Sequence, residues 1–202
     1  MVYPTMSFAK NWLEEVVSEW LSLEGYSVET NVPLKSKSGG GRNEADVLGF
    51  LFDGEFLKIV HTEATVQLTQ SHEGNVGKIR KKFSKENTEA VIEIAKSRYG
   101  DRSTRPVRHI FVSALTSSRK EAQNLKDILA KYNIEFMEFP ELVGKCLDTI
   151  SKEGKRRVAK GLNRTSEYNQ AIFAALPDGL WFMKMLGMMQ RHGMLSNLKS
   201  IA

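Results

Sequence analysis

Two carboxylates in this 202-residue sequence stand where chemistry could be done. Asp46 opens the apolar run EADVLGFLF, directly after the glycine-rich stretch KSKSGGGRNE. Glu63 lies in the middle of IVHTEATVQL, in which Val60, Thr62, Ala64, Val66 and Leu68 alternate with His61, Glu63, Thr65 and Gln67. Period-two alternation rich in β-branched residues predicts a strand with one apolar and one polar face. Asp53-Gly54 between the two runs predicts a hairpin turn, which returns Glu63 toward Asp46 at one end of a cleft. Hard divalent cations take oxygen ligands and commonly use one or two protein carboxylates, completed by water and substrate phosphate. A metal held in this way activates water and neutralises charge on a phosphodiester. The competing reading is an exposed sheet face on which Glu63 pairs with a basic neighbour.

The elements that must position these residues can be read along the chain. SFAKNWLEEVVSEWLSLE, residues 7–24, spaces Phe8, Trp12, Leu13, Val16, Val17, Trp20 and Leu21 as a helix, with Ser7 as the expected cap and Gly25 as its stop. A strand, YSVETNVPL, precedes the glycine-rich loop and the hairpin. TQSHEGNVG reads as a second loop and leads into the basic segment KIRKKFSK. Helix over 86–97, strand at RHIFVSAL, helix at SSRKEAQNLKDILAKYN, strand at IEFMEF and helix from Pro140 follow in turn. A meander followed by alternating units predicts an α/β domain with a mixed central sheet flanked by helices. Residues 1–150 read as this core, and 151–202 as a basic linker and helical extension. Met183, Met185, Met188 and Met189 in that extension suit flexible packing, and its apolar surface makes a homodimer through the C-terminal helices the expectation.

Composition bounds the partners. Hydrophobic content of 41% with 26% charged residues is that of an ordinary folded domain, and no apolar run is long enough for a membrane span. The first residues show no basic segment followed by an apolar run, so no secretory signal is expected. The lone Cys146 sits in an apolar helical context and reads as an inert buried thiol, which together points to the cytoplasm. The net charge of +5 is unevenly placed. Residues 78–85 hold Lys78, Arg80, Lys81, Lys82 and Lys85 with no acid, and 96–108 and 152–164 are also strongly basic. Such clustering suits a polyanion, and DNA is the expected partner. His109 reads as structural, His61 as hydrogen-bonded along its strand, and His72 as a candidate near a metal or phosphate. No Cys/His spacing suggests zinc.

The order helix, glycine-rich loop, EADVLG, hairpin and HTEAT resembles the PD-(D/E)XK nuclease superfamily, the restriction-endonuclease-like fold, in its Mrr-like and Holliday-junction-resolvase-like branches. The resemblance covers roughly residues 8–145 and leaves 151–202 outside. It implies a metal-dependent DNA endonuclease using Mg²⁺, with Mn²⁺ as a substitute. Asp46 and Glu63 would be the metal-binding acids, the Ala64 carbonyl would join them, and Glu14 or Glu15 would be the helix glutamate, Glu14 being preferred. Ala45 replaces the motif proline. Thr65 stands where the family has its lysine, and threonine brings neither charge nor a usable base. Three explanations stay open: Gln67 orients the water, Lys78 brings in the missing charge from beyond the loop, or the site has lost chemistry and only binds nucleic acid or assembles with other subunits.

Overall fold

Five strands form one mixed sheet in the order β1-β2-β3-β4-β5. The computed structural model describes residues 11–34, 43–68, 72–116, 118–159 and 179–195. Along the chain run α1 (Trp12–Leu23), β1 (Ser27–Pro33), β2 (Glu44–Asp53), β3 (Phe56–Gln67), α2 (His72–Lys82), α3 (Lys85–Tyr99), β4 (Arg108–Leu115), α4 (Arg119–Ala130), β5 (Ile134–Glu138), α5 (Phe139–Ala159) and α6 (Trp181–Arg191). β1, β2 and β3 form the antiparallel meander, and β4 and β5 add to β3 in parallel. The α/β class and the mixed sheet flanked by helices are therefore as expected.

The two sheet faces have different covers. Val47, Gly49, Val60 and Thr62 point to the side of α1, where Gly49 lets the helix end approach: a Cβ there would lie 3.1 Å from the Tyr26 ring and 3.4 Å from Leu21 Cδ1. Leu48, Phe50, Leu57 and Ile59 point the other way and pack with Val91 and Ala95 of α3. Further along this second face, Phe111 and Phe136 pack with Ile79 of α2 and with Leu125 and Leu129 of α4. Gly54, with φ +61°, supplies the left-handed residue of the β2–β3 turn, where a side chain would be strained.

Three local expectations are corrected. α1 is capped by Asn11, whose Oδ1 accepts from the amides of Leu13 and Glu14 at 2.9 and 3.1 Å; Ser7 lies outside the described residues. Residues 72–77 are helix, not loop, because Val76 and Ile79 of α2 find an apolar seat beside Phe111 and Phe136 that outweighs the poor helix propensity of Gly74, Asn75 and Gly77. The stretch from Lys152 read as a linker continues α5 to Ala159. By internal packing the chain divides into two units, Met1–Phe139 and Pro140–Ala202. In the second unit Cys146 is buried as expected. α6 buries Phe182, Met183 and Leu186 and exposes Trp181, Met185 and Met188.

Candidate functional site

The β2–β3 ladder stops at Val47↔Thr62. One residue further its register would set Asp46 directly opposite Glu63. There the Asp46 side chain takes over from the main chain: its Oδ2 accepts the Ala64 amide at 2.9 Å. The Asp46 and Glu63 carboxyl groups are close enough for the charge of each to act on the other. Like charges opposite one another across strands repel, and this pair is removed from water as well. Burial, then the charge of Glu63, pushes the Asp46 pKa up from its ordinary 3.8 to about 6. The neutral Asp46 carboxyl can then donate to the Glu63 carboxylate while still accepting from Ala64.

Glu63 is only 2% exposed, and both its oxygens are engaged. Oε1 accepts from His61 Nε2 at 2.9 Å, and Oε2 accepts from Lys82 Nζ at 2.7 Å. Burial raises the Glu63 pKa, against the opposing pull of Lys82. Burial works against the charge on Lys82 too, yet Glu63, Asp46 and Glu44 outweigh it and its pKa is raised. Lys82 is therefore a fixed cation at neutral pH and cannot serve as a general base. Its ammonium also reaches the main-chain oxygen of Glu44 at 3.4 Å, so it touches both acid-bearing strands.

His61 is fully buried, and burial first, then Lys82, pushes its pKa down to about 4 against the pull of Asp46. The imidazole is thus neutral, and its contact with Glu63 is a hydrogen bond from Nε2–H rather than an ion pair. Among the described residues its Nδ1 has no hydrogen-bond partner. The Phe83 ring lies 4.9 Å from His61 and 5.1 Å from His109. His109, likewise lowered to about 4 by burial and by His61, shares a 3.2 Å hydrogen bond with Thr88 Oγ1. His61 and Glu63 on the polar face of β3 therefore look at packed side chains, Lys82 of α2 and Phe83 among them, not at bulk water.

The position of Lys82 is built by Asn87, which the sequence reading did not single out. Asn87 is buried; its Nδ2 donates to the carbonyls of Lys82 and Lys81 at 2.8 and 3.3 Å. Its Oδ1 accepts from Asn43 Nδ2 at 2.5 Å, tying the corner between α2 and α3 to the start of β2. The available signal was faint: Ser84 followed three residues later by a polar residue is a helix start, here capped by Ser84 Oγ accepting the Asn87 amide.

The remaining candidates are placed as follows. Thr65 is half-buried and donates to the Gln67 carbonyl at 3.2 Å, while Gln67 is exposed. Lys78 is exposed on α2; the lysine that meets Glu63 is Lys82, one helical turn later, because the helix begins at His72 and carries Lys82 back to the level of β3. His72 is the first residue of α2. Ala64 contributes its amide to Asp46. Glu15 is exposed. Glu14 is buried and accepts from Asn11 Nδ2 at 2.5 Å, which closes the cap of α1. Lys81 and Lys85 are exposed, Lys85 beside Glu89 at 3.8 Å, and Arg80 lies over the Tyr132 ring at 3.9 Å. Comparison of the chain with known protein families, with curated proteins and with solved structures gives no match.

The donor set suits a hard divalent cation. Asp46 and Glu63 are adjacent and mutually repulsive, and burial, then the charge of Glu63, raises the Asp46 pKa. Both Glu63 oxygens and Asp46 Oδ2 each keep a second lone pair beyond the hydrogen bond they already accept. Among the described residues no three Asp, Glu, His or Cys side chains are arranged to hold a metal together. A cation here would depend on water and substrate oxygens for the rest of its shell, as Mg²⁺ commonly does.

Proposed function

We propose that the chain is a metal-dependent DNA endonuclease of the restriction-endonuclease-like kind. The observation that carries the reading is the meeting of Asp46, Glu63 and Lys82, which supplies the lysine that Thr65 lacks. Asp46 and Glu63 would hold Mg²⁺, or Mn²⁺ in its place. The bound cation would lower the pKa of a water and offset charge on the phosphodiester. Lys82, fixed as a cation, would stabilise developing negative charge and orient the water rather than remove its proton. His61 would hold Glu63 by its Nε2–H, and Ala64 would hold Asp46 by its amide. Lys78, Arg80, Lys81 and Lys85 would contact the DNA backbone, which gives affinity and register without sequence readout.

One observation favours a second reading, a nuclease-fold module that binds nucleic acid or serves as an assembly subunit without cleaving. Both Glu63 oxygens are already satisfied by protein donors. Incubating the full chain with supercoiled, linear and branched DNA, with EDTA, Mg²⁺ or Mn²⁺, tests the choice. Metal-dependent nicking that is lost in Lys82→Ala and kept in Lys78→Ala supports the enzyme. Binding without nicking under every condition supports the module.

A further inference from the structure

We infer that the groove between α2 and the α4–β5 connection is a subsite for one unpaired nucleotide, so that the substrate is DNA with a single-stranded or extruded base. This rests on the endonuclease reading and names the substrate class of that site. The groove, of about 450 Å³, is lined by Gly77, Arg80, Lys81, Phe83, Ser84, Tyr132 and Ile134. Its volume falls in the range, roughly 300–1,000 Å³, of concave sites that take small molecules.

The lining has the chemistry of a nucleotide pocket on all sides. Arg80 stacks its guanidinium over Tyr132 at 3.9 Å, and Tyr132 itself is 43% exposed. A guanidinium plane backed by an aromatic ring is a surface on which a base stacks, irrespective of sequence. Phe83 and Ile134 form the apolar wall, Lys81 brings an ammonium for phosphate, and no acid is among the described residues that line the groove. Neither Arg80 nor Lys81 has a carboxylate partner among the described residues, so neither charge is already spent.

Placement links this groove to the candidate centre. Phe83 lines the groove and also meets His61 at 4.9 Å, and His61 holds Glu63. Lys82, between the groove residues Lys81 and Phe83, is the ion-pair partner of Glu63. One short segment, residues 80–84, thus faces both sites, and a strand whose phosphate lies at Asp46 and Glu63 would have a neighbouring nucleotide within reach of Arg80 and Tyr132. A base inside a duplex is stacked on both sides and cannot enter.

The test is fluorescence anisotropy of the full chain in EDTA, with a labelled single-stranded 12-mer and its duplex. The proteins are wild type, Tyr132→Ala, Tyr132→Phe and Arg80→Ala, with thermal midpoints measured on each. Tyr132→Ala should weaken single-strand binding by about 5- to 150-fold, the range of one lost stacking contact, and change duplex binding less than twofold. Tyr132→Phe should bind as wild type. Equal affinity of wild type and Tyr132→Ala for the single strand, or equal weakening for both DNA forms, overturns the inference. Failure of the enzyme reading looks different: the Tyr132-dependent preference persists, yet no DNA is cut with Mg²⁺ or Mn²⁺.

Discussion

Replacing Asp46 by asparagine should stabilise the metal-free protein at neutral pH while abolishing cleavage. The introduced amide keeps an oxygen to accept from Ala64 and gains an N–H to donate to Glu63, so it mimics the protonated aspartic acid. In the wild type a proton is bound more tightly in the folded chain, with a pKa of about 6, than in the unfolded chain at about 3.8. Below about pH 4 both states are protonated and nothing is lost. Between about 4 and 6 the unfolded chain releases its proton first, so wild-type stability falls as pH rises, and above about 6 the loss is complete. At about 1.4 kcal/mol per tenfold in proton affinity, the full loss is about 3 kcal/mol. The Asp46→Asn variant never incurs it. Urea unfolding in EDTA should therefore show the variant more stable by about 3 kcal/mol at pH 8 and by about 0.5 kcal/mol at pH 4. For a chain of this size that corresponds to roughly 6–12 °C in Tm at pH 8. An Asp46→Asn protein that is no more stable than wild type at pH 8, with an unchanged m-value, would refute the account in which burial first, and Glu63 second, disfavour the charged Asp46.

Other outcomes follow from the same contacts. A fixed Mg²⁺ concentration of 100 times the pH 8 Kd should raise wild-type stability by about 2.7 kcal/mol at pH 8 and by less at pH 5, where protons compete at Asp46, and should leave Asp46→Asn unmoved; thermal melts with and without metal read this directly. Lys82→Ala strands the buried Glu63 charge and should cost about 1–3 kcal/mol and nearly all nicking, whereas Lys78→Ala should cost under about 0.5 kcal/mol and only weaken binding in a salt titration. His61→Phe should fill the space but leave Glu63 Oε1 without its donor, destabilising by about 1–3 kcal/mol in a denaturant titration. Trp181, Met185 and Met188 are exposed at helical spacing on α6; if they close a homodimer, Met185→Glu with Met188→Glu should turn a dimeric wild type monomeric in sedimentation, and a monomeric wild type ends the idea.

The strands, the hairpin and the candidate acids were legible in the amino-acid order, because these rest on signals local in the chain. Alternation over 59–68 and the Asp53-Gly54 turn fix which residues share a face and how β3 folds back on β2, and Asp46 and Glu63 meet as a direct result. The +5 charge and its clustering over 78–85 were equally local. The partner of Glu63 was not legible, and emerged only from the folded arrangement. Lys78 and Lys82 are nearly equivalent on a helical wheel, and which of them meets Glu63 depended on where α2 begins. Poor helix formers at Gly74, Asn75 and Gly77 hid that start, since the helix is held by the seat of Val76 and Ile79 against β4 and β5, contacts between residues far apart in sequence. Asn87 was invisible for the same reason, as its value lies in reaching Asn43, 44 residues away. Glu14 and Glu15 looked alike on a helical wheel, and only the packing of α1 buried the first and left the second in solvent. Periodicity records which side of an element is buried, but the identity of the group that meets a buried charge is set by long-range packing, which no local pattern encodes.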